Sequence, residues 1–488
     1  MTNKLDSFFD SLALPSSQAQ SLSNAFAGNS NLKAFLGGSS YNSSDLVGPA
    51  CKAAEAALGS DVVQIQPVGA TEIDLNWSQT CWAAPTCVVL PRSSQDVSKA
   101  LKIINFFQVK FAVRSGGHSP NPGWSSINNP GLLIDLQRFN QVTINSDRSV
   151  ASLGPGGRWG DVYAALDPYG VVLADGTITD ANAQQNTDLF WALKGGGPNF
   201  GIVTRFDLHT IPVHDIWYQV TVYTPDQAPA ILEAFAEWQE KGASDLKSTV
   251  ALIIALETVT VGLIYSAPAE KPSAFSPFDD LPAGTVAVPA TNGTVLSLTT
   301  ILGTTFSNEP LRHDYYGASS KIDIQLYKDV YVPWREKALA AHTATGANIT
   351  FTLQPIPVNL VNQGIAKGGN PLGLPQINHQ WWTTLVDWQH AADDEAVRAV
   401  SIDTSSNWKN FGQQRGSYIP FLDMNDASRE QNPLASYGSE NVAKLKAVSQ
   451  KYDAAQLFQK LQNDGFLLSR VDSGVAQPSG DSASVSTT

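Results

Sequence analysis

Sulfur is scarce in this chain, whose 488 residues hold three cysteines and two methionines. Cys51, Cys81 and Cys87 all fall in the first fifth, which permits one disulfide with one thiol left over. Histidine is thin as well: the seven residues show no ligand spacing with each other or with the cysteines, so no metal centre is expected. Charged side chains make up only 15%, and acidic ones outnumber basic ones 44 to 31, for a net charge of −13. A surface short of cations cannot neutralise a phosphate backbone or anionic lipid, so neither nucleic acid nor membrane is an expected partner. No run approaches the ~20 uninterrupted apolar residues that cross a bilayer, and MTNKLDSFFDSLALPSSQAQS lacks the apolar stretch of a secretory leader. The cysteines and four Asn-x-Ser/Thr triplets, at Asn42, Asn76, Asn292 and Asn348, lean toward an oxidising compartment. Localisation is therefore expected in the secretory pathway if a leader was lost, and in the cytoplasm otherwise.

What is present is ample core material. The chain is 43% apolar with 12 tryptophans, enough for two or three domains. Residues 1–45, rich in Ser, Asn, Ala and Gly with short apolar patches, read as a helical or loosely packed arm. CVVLP is a short strand stopped by Pro91, and SSQDVSKALKIINFF then places Val97, Leu101, Ile104 and Phe107 at helical spacing. Ser93 or Ser94 caps that helix, with Asp96 in its first turn. KFAVR is the next strand and ends in SGGHSPNPGW. Strand, turn, strand and helix follow through GLLIDLQRFNQVTIN and RSVASLGPGGRWGDVYAAL, with Gly154, Gly156 and Gly157 at the join. VVLADGTITDA reads as a hairpin, and DLFWALKGGGPNFGIVTRFDLHTIP runs from a helix through a glycine turn into a strand.

From Trp217 to Tyr418 long β-rich runs (WYQVTVYT, STVALIIALETVTVGLIY, NHQWWTTLVDWQH) mix with helices such as DQAPAILEAFAEWQEKG and DDEAVRAVSIDTSSNW, the pattern of a separate α+β domain. In NHQWWTTLVDWQH, His379, Trp381, Thr383, Leu385 and Asp387 share one strand face and Gln380, Trp382, Thr384, Val386 and Trp388 the other. SENVAKLKAVSQKYDAAQLFQKLQ is an amphipathic helix with a short second one, and the polar tail after it is expected to be disordered.

The strongest chemical signal is Arg114-Ser115-Gly116-Gly117-His118-Ser119. Adjacent glycines remove Cβ atoms where a backbone must approach a ligand, and consecutive N–H groups in such a turn form an anion-binding concavity suited to a pyrophosphate. No GK[ST] or GxGxxG opens a helix here, so the element order is neither that of a Walker loop nor of a Rossmann fingerprint.

Taken in order, CVVLPRSSQDVSKAL, FAVRSGGHS, LGPGGRWGDVYAAL, VVLADGTI and DLFWALKGGGPNFGIVTRFDL resemble the flavin domain of the berberine-bridge-enzyme-like FAD-linked oxidases, within the vanillyl-alcohol-oxidase superfamily. MNDASREQNPLASYGSENVAKLKAVSQKYDAAQLFQKLQNDGF resembles the segment that returns to the flavin in these oxidases. The resemblance covers roughly 75–215 and 417–467. It implies an α+β fold: a two-part FAD-binding domain of the PCMH type plus an α+β substrate domain with an antiparallel sheet. The expected boundaries are an arm at 1–45, the FAD domain at 46–215, the substrate domain at 216–417, a C-terminal return at 418–470 and a tail at 471–488.

The same resemblance makes His118 the counterpart of the covalent flavin anchor, with Arg114, Ser115, Gly116, Gly117 and Ser119 around the pyrophosphate. It places Gly154 and Gly156 in a turn that passes the flavin, and Gly197, Asn199, Gly201, Ile202 and Val203 in a segment of main-chain cofactor contacts. Tyr437 and Asn441, four apart and on one face if the segment is helical, match residues that approach the isoalloxazine. Cys51 and Cys87 would form the family's disulfide, leaving Cys81 outside it. For the catalytic base the resemblance offers Tyr418 and Asp423, with Tyr437 counted among the catalytic residues through its approach to the flavin; Asp423 standing in an aromatic position would lower the base's intrinsic pKa from ~10 to ~4 before burial. The implied activity is transfer of a hydride from a secondary metabolite or carbohydrate to flavin N5, with dioxygen reoxidising the flavin.

One departure weighs against this. Relatives place some forty residues between the turn resembling ALDPYG and the strand resembling VVLADG, whereas Tyr169-Gly170 here joins Val171-Val172 directly. Cys87 is the last cysteine, so a second flavin bond through sulfur is excluded. Either the segment was lost from the gene description, or the loss is real and the chain is a redox-inactive scaffold, a pericyclase-type binding protein, or a non-functional truncated product.

Overall fold

The computed structural model describes residues 2–147, 149–158, 170–173, 177–209, 213–303 and 309–472. The helix expected in GRWGDVYAAL and the tail from 473 lie outside the described residues, whereas the join after Gly170 falls within the described backbone 170–173, where the pairing with Gly201–His209 shifts register between Gly170 and Val171. The chain divides into two compact units: residues 1–210 with 440–488, and residues 211–439. The division falls at 211 and 440, so residues 418–439 group with the second unit rather than with the C-terminal return.

In the first unit, strands β1 (Val63–Ile65), β2 (Cys87–Val89), β3 (Phe111–Arg114) and β4 (Leu132–Asp135) form a sheet in the order β1-β2-β4-β3. Both β2 and β3 run parallel to β4. The crossover between β2 and β3 is the helix Ser94–Phe107, whose start is a capping box: Ser93 accepts from the Asp96 N–H, and the Asp96 carboxylate accepts from the Ser93 N–H. Its Val97, Leu101, Ile104 and Phe107 are buried, as their spacing predicts. The N-terminal arm is helical (Thr2–Ser11, Ser16–Phe26, Ser30–Gly37) and its Phe8, Phe9, Leu12, Leu22 and Phe26 join the same core. The Cys51–Cys87 disulfide ties the helix Val47–Leu58 to β2, and Cys81 is a buried thiol. A second, antiparallel sheet holds β5 (Val142–Ile144), β6 (Val150–Leu153), β7 (Gly170–Leu173), β8 (Ile178–Asp180) and β9 (Gly201–His209), ordered β5-β6-β9-β7-β8. The expected hairpin is the β7–β8 pair.

Among the described residues, the second unit is built on one nine-stranded sheet. Its strands are β10 (Asp215–Tyr223), β11 (Ser248–Ile254), β12 (Val259–Tyr265), β13 (Thr285–Thr294), β14 (Arg312–Lys321), β15 (Asn348–Ile349), β16 (Phe351–Ile356), β17 (His379–Trp388) and β18 (Tyr418–Ile419). The order is β13-β10-β12-β11-β16-β17-β14-β18, with β15 pairing β17. Helices Ala228–Glu240, Ile324–Thr345 and Asp394–Arg415 share a core with one face of this sheet, where Trp334, Trp382, Val386, Trp388 and Trp408 pack together. Strand alternation then puts Trp381, Thr383 and Leu385 on the other face, beside Ser319, Gly317 and Tyr315, their register partners in β14.

Candidate functional site

The first unit places the glycine loop at the C-terminal end of β3. Arg114, at its root, is 1% exposed and turned inward, giving two hydrogen bonds to the fully buried Asp135 carboxylate at 2.9 and 2.5 Å. Arg114 therefore pins the loop to β4, and its guanidinium is taken up by Asp135. Gly117 has φ +65°, in the left-handed region, and a Cβ there would stand 3.0 Å from Asn76 Oδ1. The Gly117 carbonyl accepts from Trp77 N–H at 2.9 Å, the Gly116 carbonyl from Arg158, and the Ser119 carbonyl from the Cys81 thiol at 3.2 Å. Ser115 Oγ donates to the Pro155 carbonyl, so the loop and the turn after β6 are joined.

His118 keeps part of its ring toward solvent while one face lies flat on Trp77, with ring centroids 4.5 Å apart and planes 15° from parallel. Burial pushes its pKa below the ordinary imidazole value, and the nearby Arg158 charge adds to that. The ring is thus neutral at pH 7. One buried side-chain atom by this loop, Asn76 Oδ1, has no hydrogen-bond partner. A glycine loop with an orphaned polar atom beside it fits a ligand bearing phosphates and a hydrogen-bonding ring, as FAD does.

Other expected cofactor residues also make structural contacts of their own. A Cβ at Gly154 would stand 2.0 Å from the Phe139 carbonyl and one at Gly156 2.2 Å from that of Leu136, so both glycines answer a close approach of two chain segments. Asn199 is fully buried and saturated: its amide donates to the Gly196 and Phe466 carbonyls, while Oδ1 accepts from Gln459 and the Leu468 N–H. Its side chain fastens the C-terminal segment to the turn containing Gly197. Gly201, Ile202 and Val203 open β9, with Ile202 in the core. Tyr437 and Asn441 do not share a helical face, because Tyr437 ends a 3₁₀ turn, Gly438 follows at φ +88°, and the helix runs from Ser439 to Tyr452.

In the second unit, the sheet face opposite the helices carries a cluster of ionisable and aromatic groups. Phe421 packs on Trp381, with centroids 5.1 Å apart, and stacks on Tyr437 at 6.0 Å. Asp423 precedes the short turn Met424–Asp426, and Asp426 closes it. Gln354, opposite Trp381 in the register of β16 and β17, donates to the Asp426 carboxylate. Burial and the neighbouring Asp426 charge push Asp423 up to about 6, while burial raises Asp426 despite the Gln354 bond. Burial, with Asp423 adding, holds Tyr437 protonated well above the ordinary phenol range, and burial with Asp426 does the same for Tyr315. Tyr418 is not part of this cluster. It pairs with Ser320, the neighbour of the outward Ser319, and its Cβ packs against Gly412 of the helix Asp394–Arg415. Of the three expected catalytic residues the structure groups Asp423 with Tyr437 and turns Tyr418 to the opposite face. Asp426, Tyr315 and Trp77 escaped the sequence, since only strand register and ring packing reveal them.

Among the described residues no group of His, Cys, Asp or Glu could hold a metal, and no helix is long and apolar enough to cross a membrane.

An FAD binding domain family matches residues 85–181, which bracket the cradle. The FAD-dependent monooxygenase AOL_s00215g279 of Arthrobotrys oligospora is 36% identical over 460 aligned positions, taking in 86% of this chain and 89% of the relative. Among solved structures, 6-hydroxy-D-nicotine oxidase of Arthrobacter nicotinovorans superposes with a TM-score of 0.68 at 16% identity, covering 82% of this chain and 97% of that one. Glucooligosaccharide oxidase of Acremonium strictum, described as carrying a 6-S-cysteinyl, 8α-N1-histidyl FAD, superposes at 0.66 and 17% identity over 85% of this chain and all of its own. With the loop, the family match and a relative of this closeness in agreement, the chain belongs to the FAD-dependent oxidoreductases that carry this FAD binding domain, and its fold is that of the solved flavin oxidases.

Proposed function

We propose that the chain works as an oxidase, removing a hydride from a small molecule, a secondary metabolite or carbohydrate, and delivering the electrons to dioxygen. The observation that carries this is the cradle of Ser115–Ser119, left-handed at Gly117, with a neutral His118 laid on Trp77. FAD, when bound, supplies the two-electron chemistry, taking hydride at N5 and passing electrons to dioxygen as peroxide. The protein's share is placement and proton handling. The N–H groups of Gly116, Gly117 and their neighbours hold the pyrophosphate, and His118 offers a ring nitrogen to the flavin 8α position. Asp423 takes the proton from the substrate hydroxyl or amine: with a pKa of about 6 it is mostly ionised at pH 7 yet basic enough to accept. Tyr437 and Tyr315 stay protonated and act as donors.

The test is a preparation of the full chain assayed for flavin that survives acid precipitation, and for peroxide formed per dioxygen consumed. Protein-bound colour lost in His118→Ala, with one peroxide per dioxygen, supports the reading. Product carrying an oxygen atom from labelled dioxygen, in place of peroxide, would move the activity to the monooxygenase named for the relative.

A second reading rests on the alignment with the Arthrobotrys protein, which spans more positions than this chain contributes, so the relative has a few tens of residues without counterpart here. If those lie at the join after Gly170 and the loss is genuine, the chain is a redox-inactive scaffold of the same fold or a truncated product. Sequencing the transcript across the join separates the two origins, and product formation without oxygen, unaffected by His118→Ala, would favour the scaffold.

A further inference from the structure

We propose that Trp77 is the positioning residue of His118: its indole is the platform that fixes the plane of the imidazole. This rests on the reading of His118 as the flavin anchor. The two rings lie 4.5 Å apart and within 15° of parallel, a contact that resists rotation of the imidazole about its own side-chain bond.

The backbone makes platform and loop one body. The Trp77 N–H donates to the Gly117 carbonyl at 2.9 Å, immediately before the ring it supports. Behind it the chain closes a tight turn, with Asn76 Nδ2 donating to the Cys81 carbonyl at 2.8 Å and Trp82 Nε1 to the Asn76 carbonyl at 3.0 Å. That turn reaches the far side of the loop as well, through the Cys81 thiol on the Ser119 carbonyl at 3.2 Å and Thr80 Oγ1 on the Pro120 carbonyl at 3.0 Å. Residues 117, 119 and 120 are thus held by hydrogen bonds, and the stack adds to what holds the ring of residue 118.

The chemistry explains what the stack is for. Attachment forms one C–N bond between an imidazole nitrogen and the flavin 8α carbon. The methyl group gives up a proton, and the electron pair passes to the flavin and then to dioxygen. The attacking nitrogen needs its lone pair, which an imidazolium lacks. The indole covers one imidazole face, and burial is the first cause that lowers the imidazole pKa. Arg158, bonded to the Gly116 carbonyl, is the charged group beside the ring and acts in the same direction.

The experiment titrates the histidines of the full chain without flavin by NMR, assigning His118 from the signal lost in His118→Ala. In parallel it follows uptake of added FAD into acid-precipitable protein. His118 in the unaltered chain titrates below 6.5. Trp77→Leu is expected to raise that pKa by about half a unit and slow covalent uptake by about tenfold or more, because a misaimed nucleophile loses its near-attack geometry. Trp77→Phe, which restores a flat platform in a fold checked by thermal unfolding, keeps uptake within a few-fold. Trp82→Phe removes the turn's donor without touching the stack and leaves the titration in place. The proposal is overturned if Trp77→Leu leaves the His118 titration unchanged, or if Trp82→Phe moves titration and uptake equally, since turn integrity would then be the cause. If the unaltered chain takes up no flavin covalently, the anchor assignment falls while the titration still decides the role of Trp77.

Discussion

Asp423 is a carboxyl that the fold holds at a cost, and removing its charge should make the protein more stable. Its pKa is pushed from 3.8 to about 6 by burial and by Asp426. At 1.36 kcal/mol per unit this is on the order of 3 kcal/mol against the ionised form. The sign follows from proton counting. Between pH 4 and 6 the folded chain binds the proton and the unfolded chain has released it, so stability falls across that window and the full cost is present above pH 6. Asp423→Asn keeps the shape and never ionises. In urea titrations followed by tryptophan fluorescence, the variant should exceed the unaltered chain by about 1–3 kcal/mol at pH 7.5 and match it at pH 4. Asp426→Asn should slide the same window toward lower pH by removing one source of the shift. Substrate oxidation by the Asp423→Asn variant should drop by about 10²–10⁴, the usual share of a general base, and lose its acid limb near pH 6. A variant that is less stable at pH 7.5, or whose gain persists unchanged at pH 4, would refute the idea that desolvation of this carboxyl strains the fold.

Four further outcomes follow from contacts in the two units. Asn199→Ala strands the Leu468 N–H and the Phe466 carbonyl in the interior, and at about 1–3 kcal/mol per buried unpaired group it should lower the urea midpoint and speed proteolysis of the C-terminal segment. Asp135→Asn leaves the buried Arg114 charge without its counter-ion; a loss of about 3–5 kcal/mol by chemical denaturation is expected, together with weaker FAD uptake, because the loop root loosens. Replacing Cys51 and Cys87 by alanine opens a loop of sequence separation 36 and should cost about 4 kcal/mol by the same assay. Tyr418→Phe should leave substrate oxidation within about twofold, whereas Tyr437→Phe should not, since only the second ring lies in the cluster with Asp423.

What could be read from the sequence was whatever is encoded over a few neighbouring residues. The capping box at Ser93, the apolar spacing from Val97 to Phe107 and the parity of the strand His379–Trp388 are local patterns, and each is present in the structure. The glycine cradle was legible for the same reason, since Gly116 and Gly117 are adjacent. Residues whose duty depends on distant partners were misjudged or missed. Asn199 sits in a glycine-rich turn, and nothing local announces that four partners from its own turn and from residues 459 to 468 consume its side-chain amide. Arg114 opens the motif and still points away from it, because a guanidinium that deep requires Asp135. Tyr437 and Asn441 keep helical spacing in the sequence, and the single left-handed Gly438 between them breaks it. The sequon at Asn76 illustrates the converse. A triplet that reads as a glycosylation signal is here 2% exposed and bonded to Cys81, and its tryptophan lies under His118. A local motif is thus evidence about chemistry only after the partners that folding assigns to its residues have been counted. By that measure the candidates that survive are His118 with Trp77 in one unit and Asp423 with Asp426 in the other.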